Sequence, residues 1–158
     1  MVKEYQISML SHFIELELKL AEMYGLLAET FSEESAFFQA HHGEELHHAQ
    51  WLEYFRDKVE KGEVLFNESK TRTVTLKSFI ANIQTILADA KAGKLTILSA
   101  LSLSAGIEES LIERKAFEHF IARSPELQQT LKRLLAETAE HAGEIKKLKS
   151  KYLKSAAP

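Results

Sequence analysis

The chain has 158 residues, of which 45% are hydrophobic and 27% charged, and its formal net charge is −3. This length suits a single domain with a substantial core, and the slightly acidic charge gives no electrostatic basis for binding nucleic acid. The absence of cysteine excludes disulfides, thiolate metal sites and cysteine nucleophiles. A bound metal would therefore need histidine and carboxylate ligands.

No stretch of the sequence indicates export or a membrane segment. The N-terminal residues lack the long apolar region of a secretory signal. The longest uncharged run, 95–107, is too short to cross a bilayer. We therefore expect a cytoplasmic protein without a membrane partner.

Apolar residues recur at helical spacing along nearly the whole chain, which predicts an all-α fold. Gly62 is a typical end for the second helix, and the segment that follows it, 62–75, breaks the pattern and is predicted to be a loop. Ser124 and Pro125 have the residue types of an N-cap and a first helical position, so they mark the start of the last helix. The predicted helices, in chain order, cover residues 4–30, 33–61, 76–92, 97–123 and 125–151.

Four of these helices are long, and a long connection joins the first pair to the second. This arrangement predicts a four-helix bundle with one crossover, which carries the short helix 76–92. The helix over 97–123 is apolar almost all round, so its outer side needs a cover. The crossover helix or a second subunit could provide it, and we expect a homodimer.

Each long helix places ionisable residues on or beside its apolar stripe. Glu17 and Glu109 occupy the centre of the stripe in the first and third long helices. Glu45 does so in the second, with His48 beside it, and His141 flanks the stripe of the fourth. Buried carboxylates cost several kcal/mol each without compensation and repel one another. Their grouping at matching heights therefore predicts a metal site with oxygen and imidazole ligands.

Four of the seven histidines lie in the segment 41–51. Glu45 and His48 face the core by their helical position. His41 lies one turn before Glu45 on the same stripe, and is expected either to support the ligands or to be an ordinary histidine at the edge of the core. The remaining polar residues of interest are expected to face solvent: His42, Glu44 and His47.

The chain also contains a weak internal repeat. Segment 40–49 aligns without a gap on 133–142 and places His48 on His141. Two helical hairpins related by a pseudo-two-fold axis would then face each other across the site. Each hairpin would contribute a glutamate from one helix and a histidine from the next.

These residues resemble the pattern of the ferritin-like superfamily, and specifically of rubrerythrin-like proteins. In that family, glutamates on the first and third long helices join a Glu-x-x-His motif on the second and fourth, and together they hold two irons. Glu17 matches the first position, and Tyr24 matches a tyrosine near it. The resemblance implies a non-haem di-iron site, with Tyr24 as a hydrogen-bond donor or radical acceptor. The ligands it implies are Glu17, Glu45, His48, Glu109, Glu137 and His141.

The sequence departs from the family pattern in two ways. Thr138 stands where the fourth motif has its glutamate, although Glu137 is adjacent and could rotate in. Near the third position, Glu108 and Glu113 could share or replace the role of Glu109. The chain also lacks a cysteine-ligated rubredoxin-like module, so catalysis by reduction would need an external electron donor.

Two functions are compatible with these observations. The first is a non-haem iron protein that oxidises Fe²⁺ or reduces peroxide or O₂, in which manganese or zinc could stand in for iron. The second is a ferritin-like module whose degenerate site binds one metal or none and serves binding or structure. Haem held by His48 and His141 is a weaker third option, because the core carboxylates suit it poorly.

Overall fold

The computed structural model describes residues 2–114 and 116–157, except for the side chains of Lys70 and of residues 111–114. Within these residues the chain is mainly helical, which confirms the all-α prediction. Its five α-helices are α1 Glu4–Thr30, α2 Ser35–Glu60, α3 Thr73–Lys91, α4 Ile97–Arg114 and α5 Pro125–Ala156. Its two short strands are β1 Val64–Phe66 and β2 Phe120–Ala122.

Local chemistry explains where several helices begin and end. Ser124 caps α5, since its hydroxyl accepts a hydrogen bond from the backbone N–H of Leu127 at 3.2 Å, and Pro125 follows as the first helical residue. Gly62 and Gly93 follow α2 and α3 with φ of 74° and 69°. This left-handed conformation favours glycine. Segment Ser32–Glu34, which we predict as the start of the second helix, instead forms a 3₁₀ turn before α2.

The prediction of one helix over 97–123 is wrong at its C-terminal end. α4 ends at Arg114, and a 3₁₀ turn, Ala116–His119, leads into β2. β2 pairs antiparallel with β1, so the predicted loop 62–75 contains a strand. Helical periodicity does not reveal this pairing, because the two strands are far apart in the sequence and both carry apolar residues that fit either structure.

A buried histidine ties the crossover to the end of α4. The ring nitrogen Nδ1 of His119 donates to the carbonyl oxygen of Asn67 at 2.6 Å, and the backbone N–H of Asn67 donates to the carbonyl of His119 at 2.7 Å. Phe120 packs its ring 5.0 Å from that of Phe55 in α2. These contacts hold β1 and β2 against the bundle.

α1 occupies the middle of the molecule. It packs along α2 and along the crossover helix α3, while α4 packs along α5. α1 and α2 lie close together at Gly25, where an added Cβ would be 3.2 Å from Nδ1 of His42. His42 Nδ1 is 2.7 Å from the carbonyl oxygen of Ala21, so the prediction that this side chain is simply solvated is wrong. Among the described residues, no helix has the length and apolar character needed to cross a membrane.

Candidate metal centre

Three carboxyl groups meet in the core between α1, α2 and α4. Glu17 is 5% exposed, Glu45 2% and Glu108 1%. The carboxyl group of Glu45 is close enough to those of Glu17 and Glu108 for hydrogen bonding with each of them to shift its pKa. Two carboxyl groups can share a hydrogen bond only while one of them keeps its proton. The metal-free protein therefore holds protons in this cluster.

Burial sets the proton affinity of the cluster. It raises the pKa of Glu17 and of Glu45 well above the usual range, and the repulsion between neighbouring carboxylates adds to the effect. Burial also raises the pKa of Glu108. A cation placed among these groups would replace the protons, because it stabilises the charged form that burial disfavours.

Two buried histidines complete the cluster from α2 and α5. The rings of His48 and His141 have centroids 5.1 Å apart. His48 Nδ1 is 3.2 Å from Glu45 Oε2, and His141 Nδ1 is 3.8 Å from Glu45 Oε1. One ligand atom each from Glu45, His48 and His141 lies within 4.8 Å of the other two. This is the spacing of groups that can share one metal ion.

The imidazole of His141 is available as a ligand. Burial, followed by the neighbouring His48 and His41, lowers the pKa of His141 to about 3, so the ring is neutral at physiological pH. Its Nδ1 and Glu45 Oε1 are both buried, and within the described part of the chain neither has a hydrogen-bond partner. Leaving such atoms unpaired costs about 1–3 kcal/mol each. A cation between them would satisfy both.

The predicted inward position of Glu109 is wrong. Its side chain is 51% exposed and pairs with Lys146 Nζ at 2.6 Å, and the bond to Lys146 lowers its pKa. The buried stripe of α4 instead includes Leu101, Ser104 and Glu108. These positions are three and four residues apart, as one face of a helix requires. Neighbouring residues differ by about 100° around a helix, so a shift of one position moved the assignment from the core to the surface.

Glu108 therefore takes the place predicted for Glu109, as the sequence left open. The other alternative, Glu113, has a side chain that lies outside the described residues. The signal that could have identified Glu108 is its distance of seven residues, about two helical turns, from the apolar Leu101. The nearly uniform apolar character of α4 left little contrast between its faces, and this obscured the signal.

The α5 side of the centre has no buried carboxylate among the described residues. Thr138, at the position of the expected glutamate, donates its hydroxyl hydrogen to the carbonyl of Leu134 at 2.9 Å. Glu137 lies at the edge of the centre with a side chain 35% exposed. Its Oε2 is 4.0 Å from His48 Nε2, and its Oε1 is 3.7 Å from Arg133 Nε. The part predicted for Glu137 as a ligand stays a prediction.

Comparisons with models of protein families, with curated proteins and with solved structures found no match. The function of the centre therefore has to be inferred from its residues and their geometry.

Tyr24 belongs to the centre as well, and it lies on α1 about two turns after Glu17. It is fully buried, and its hydroxyl donates to Glu108 Oε1 at 2.6 Å. Burial, and then the charge of Glu108, raise the pKa of Tyr24 well above its usual value, so the phenol keeps its proton. Tyr24 therefore orients one carboxylate oxygen of Glu108 and holds a proton beside it.

Proposed function

We propose that this protein is a ferritin-like metal protein of the rubrerythrin type, which binds iron in its core and oxidises Fe²⁺ or reduces peroxide or O₂. The main support is the pair of buried atoms without hydrogen-bond partners, Glu45 Oε1 and His141 Nδ1, which face each other at 3.8 Å. This separation is too long for a hydrogen bond and suits two ligands of one ion.

The arrangement of helices supports the ferritin-like part of the proposal. Four of the five helices contribute buried residues to the centre: α1 provides Glu17, α2 provides Glu45 and His48, α4 provides Glu108, and α5 provides His141. The crossover helix α3 packs along α1. Bundles that bind two metals build their sites from inward residues of four helices in this way.

The donor set supports iron as the metal. Three carboxylates and two imidazoles suit iron, manganese or zinc, and the chain has no thiolate to favour a softer ion. Glu45 would be a central ligand, because its carboxyl group interacts with Glu17 and Glu108 and also faces both histidines. Bound iron would supply one-electron redox chemistry and affinity for oxygen ligands.

The protein's own residues would prepare the centre for that chemistry. Glu17, Glu45 and Glu108 release the protons of the metal-free cluster when a cation enters. The hydroxyl of Tyr24 keeps its proton and donates a hydrogen bond to Glu108 Oε1, so it holds a proton at the edge of the centre. The surrounding apolar side chains, among them Phe38 and Phe117, exclude water from the buried groups.

Thr138 favours a second candidate function. Because its hydroxyl is bonded within α5 and Glu137 stays at the edge, the α5 half lacks a buried carboxylate. The protein could then be a ferritin-like module that binds one ion, such as Zn²⁺ or Mn²⁺. A stoichiometry of one metal per chain, insensitive to peroxide, would select this function over the first.

We also propose two partners that the site and the surface call for. Reductive turnover would draw electrons from an external donor, because these 158 residues contain no cysteine that could hold a rubredoxin-like iron. A homodimer would cover apolar residues that α4 exposes, such as Leu103, which is 37% exposed. Light scattering at tens of micromolar protein measures the mass of the particle, and a monomer there would contradict the dimer.

The test of the proposed function is an anaerobic titration with Fe²⁺ followed by peroxide. Trp51, the single tryptophan, lies one turn after His48 on α2, so its fluorescence should fall as metal binds. Adding peroxide should then produce an absorbance change from ferric iron. A protein that takes up no metal would contradict the proposal.

Glu108→Gln and Glu109→Gln provide a matched pair of variants. Both remove one charge from adjacent positions of α4, but only Glu108 is buried in the centre. We expect Glu108→Gln to weaken iron binding at least about tenfold, as loss of a metal-site group typically does, and Glu109→Gln to leave it unchanged. Equal effects of the two substitutions would show that the metal binds elsewhere.

A further inference from the structure

A cleft between α2 and α5 lies outside the buried centre. It encloses about 360 Å³, and its walls include four glutamates: Glu44, Glu137, Glu140 and Glu144. The buried rings of His48 and His141 also line it. The cleft therefore combines a negatively charged wall, which attracts cations, with direct access to two of the candidate ligands.

Behind the cleft wall, a nitrogen of the buried His41 faces Glu144, one of the residues that line the cleft. The residue is 1% exposed, and its Nδ1 is 3.0 Å from the carbonyl oxygen of Phe37. A carbonyl can only accept, so Nδ1 carries the proton and, in the neutral ring, Nε2 carries the lone pair. Nε2 is buried and has no hydrogen-bond partner in the described part of the chain, and it faces Glu144 Oε2 at 3.6 Å.

The distance between these two acceptor atoms, His41 Nε2 and Glu144 Oε2, suits two ligands of one ion. With metal–ligand bonds of about 2.1 Å, two ligands of a tetrahedral ion lie about 3.4 Å apart. Metal-binding histidines also characteristically donate their other ring N–H to a carbonyl or carboxylate, as His41 does to Phe37. The ring is further held by Tyr24 and Phe37, with centroids 5.4 and 4.4 Å away.

Glu44 supplies a second carboxylate one turn from His41 on α2. Its Oε2 is buried and lacks a hydrogen-bond partner within the described residues, although it lies 2.8 Å from His141 Nε2. Glu44 is thus partly exposed, in line with its predicted outward position, while one of its carboxylate oxygens is buried against His141. Its side chain is 43% exposed, so it can rotate between His141 and an ion held by His41 and Glu144.

We propose that His41 and Glu144, joined by Glu44 once its side chain rotates away from His141, form a second site for a divalent transition-metal ion beside the cleft, and that ions enter the buried centre through it. The site itself is independent of the proposed function, whereas its role as an entry point rests on that function.

The position of His141 supports the entry role. Its ring lies between the two sites, with centroids 5.5 Å from His41 and 5.1 Å from His48. Its Nε2 contacts Glu44, and its Nδ1 faces Glu45. A rotation of Glu44 and a small shift of the ion would transfer the ion from exposed to buried ligands. During this transfer, each protein ligand would replace one water molecule bound to the ion.

Titration of the full chain with Co²⁺ tests the proposal, because the visible absorbance of Co²⁺ reports its ligands. We expect two classes of bound ion. Glu144→Gln should weaken the weaker class at least about tenfold and slow the filling of the tighter class several-fold. Glu140→Gln is the matched control, since it removes the same charge from the same cleft but no proposed ligand. Equal effects of Glu140→Gln and Glu144→Gln would reduce the cleft to general electrostatic attraction and overturn the proposal.

Two further variants separate this proposal from the proposed function. His41→Gln should abolish the weaker class, with circular dichroism melting as the check on its fold; the exposed Glu144→Gln carries the same test if the buried change unfolds the chain. Glu45→Gln should abolish the tighter class and leave the weaker one. If the wild-type protein shows only a class that depends on Glu45, the second site is wrong and the proposed function stands. If it shows only a class that depends on His41 and Glu144, the second site stands and the proposed function fails.

Discussion

Segments 40–49 and 133–142 align in sequence, yet they contribute different chemistry to the centre. Each buries a histidine, and the rings of His48 and His141 face each other. The α2 segment also buries a carboxylate, Glu45, at the middle of the cluster. The α5 segment has Thr138 at that position, with its hydroxyl bonded to its own helix. The repeat in sequence thus preserves the positions of two buried histidines, while the threonine at position 138 leaves the α5 half without the carboxylate that the α2 half has.

The largest expected difference between the halves is in metal binding. Glu45→Ala should lower the affinity for Fe²⁺ or Co²⁺ about a hundredfold or more, because it removes the carboxylate that lies next to both histidines. Thr138→Ala, the equivalent change in α5, should leave the affinity within a factor of about two, since a hydroxyl engaged with its own helix contributes no ligand. Calorimetric titration measures both, and similar losses in the two variants would contradict the asymmetry.

Restoring the carboxylate should make the halves more alike. Thr138→Glu should tighten binding of a second ion about tenfold, because a carboxylate adds charge and a bridging oxygen. Glu137→Ala in the native background shows whether Glu137 already fills that place. A stoichiometry of two metals that survives Glu137→Ala would show that it does not. Metal content per chain after gel filtration is the measurement for both variants.

The stability of the metal-free protein should depend on pH through its buried carboxyl groups. The pKa values of Glu17, Glu45 and Glu108 are raised in the folded state. Their contribution is therefore complete below the unfolded pKa near 4.3 and is lost as pH rises through the raised values. His141, with its pKa lowered to about 3, acts in the opposite sense, stabilising above about 6.5 and losing that contribution as pH falls towards 3.

Three carboxyl groups outweigh one histidine, so we expect the metal-free protein to lose stability as the pH rises above the unfolded value near 4.3. Glu17→Gln should reduce this slope by up to about 1.4 kcal/mol per pH unit, the value for one proton. Urea unfolding in the presence of a chelator measures the slope. Exposed Glu109→Gln is the control, and a slope in Glu17→Gln as steep as in the control would contradict the assignment.

The smallest expected effect on metal binding is that of a substitution at Tyr24. Tyr24→Phe removes the donor to Glu108 Oε1 and should lower stability by about 1–3 kcal/mol, since a buried acceptor loses its partner. Metal affinity should change little, because the phenol keeps its proton and is not a ligand. Tyr54→Phe, at a position 41% exposed, should change neither quantity. A large loss of metal in Tyr24→Phe would make the tyrosine a ligand instead.

Helical periodicity was sufficient for most of the fold. The bounds of α1 are as predicted, and the start of α5 follows from Ser124 and Pro125. The same periodicity placed Glu17, Glu45, His48 and His141 on inward faces, and all four are buried. It failed on α4, where apolar residues surround the helix and a rotation of one residue carries little hydrophobic penalty.

The sequence by itself determined that the chain is helical and that ionisable residues interrupt the apolar stripes, because both depend on spacing within one helix. Tertiary structure alone decided which partner each of these residues meets. Glu108 contacts Tyr24 and Glu45, Glu109 contacts Lys146, and His41 faces Glu144. Each of these pairs joins two different helices. The strands β1 and β2 likewise pair although they lie far apart in the chain. Their choice depends on how the helices rotate and pack against one another, and local propensity does not specify it.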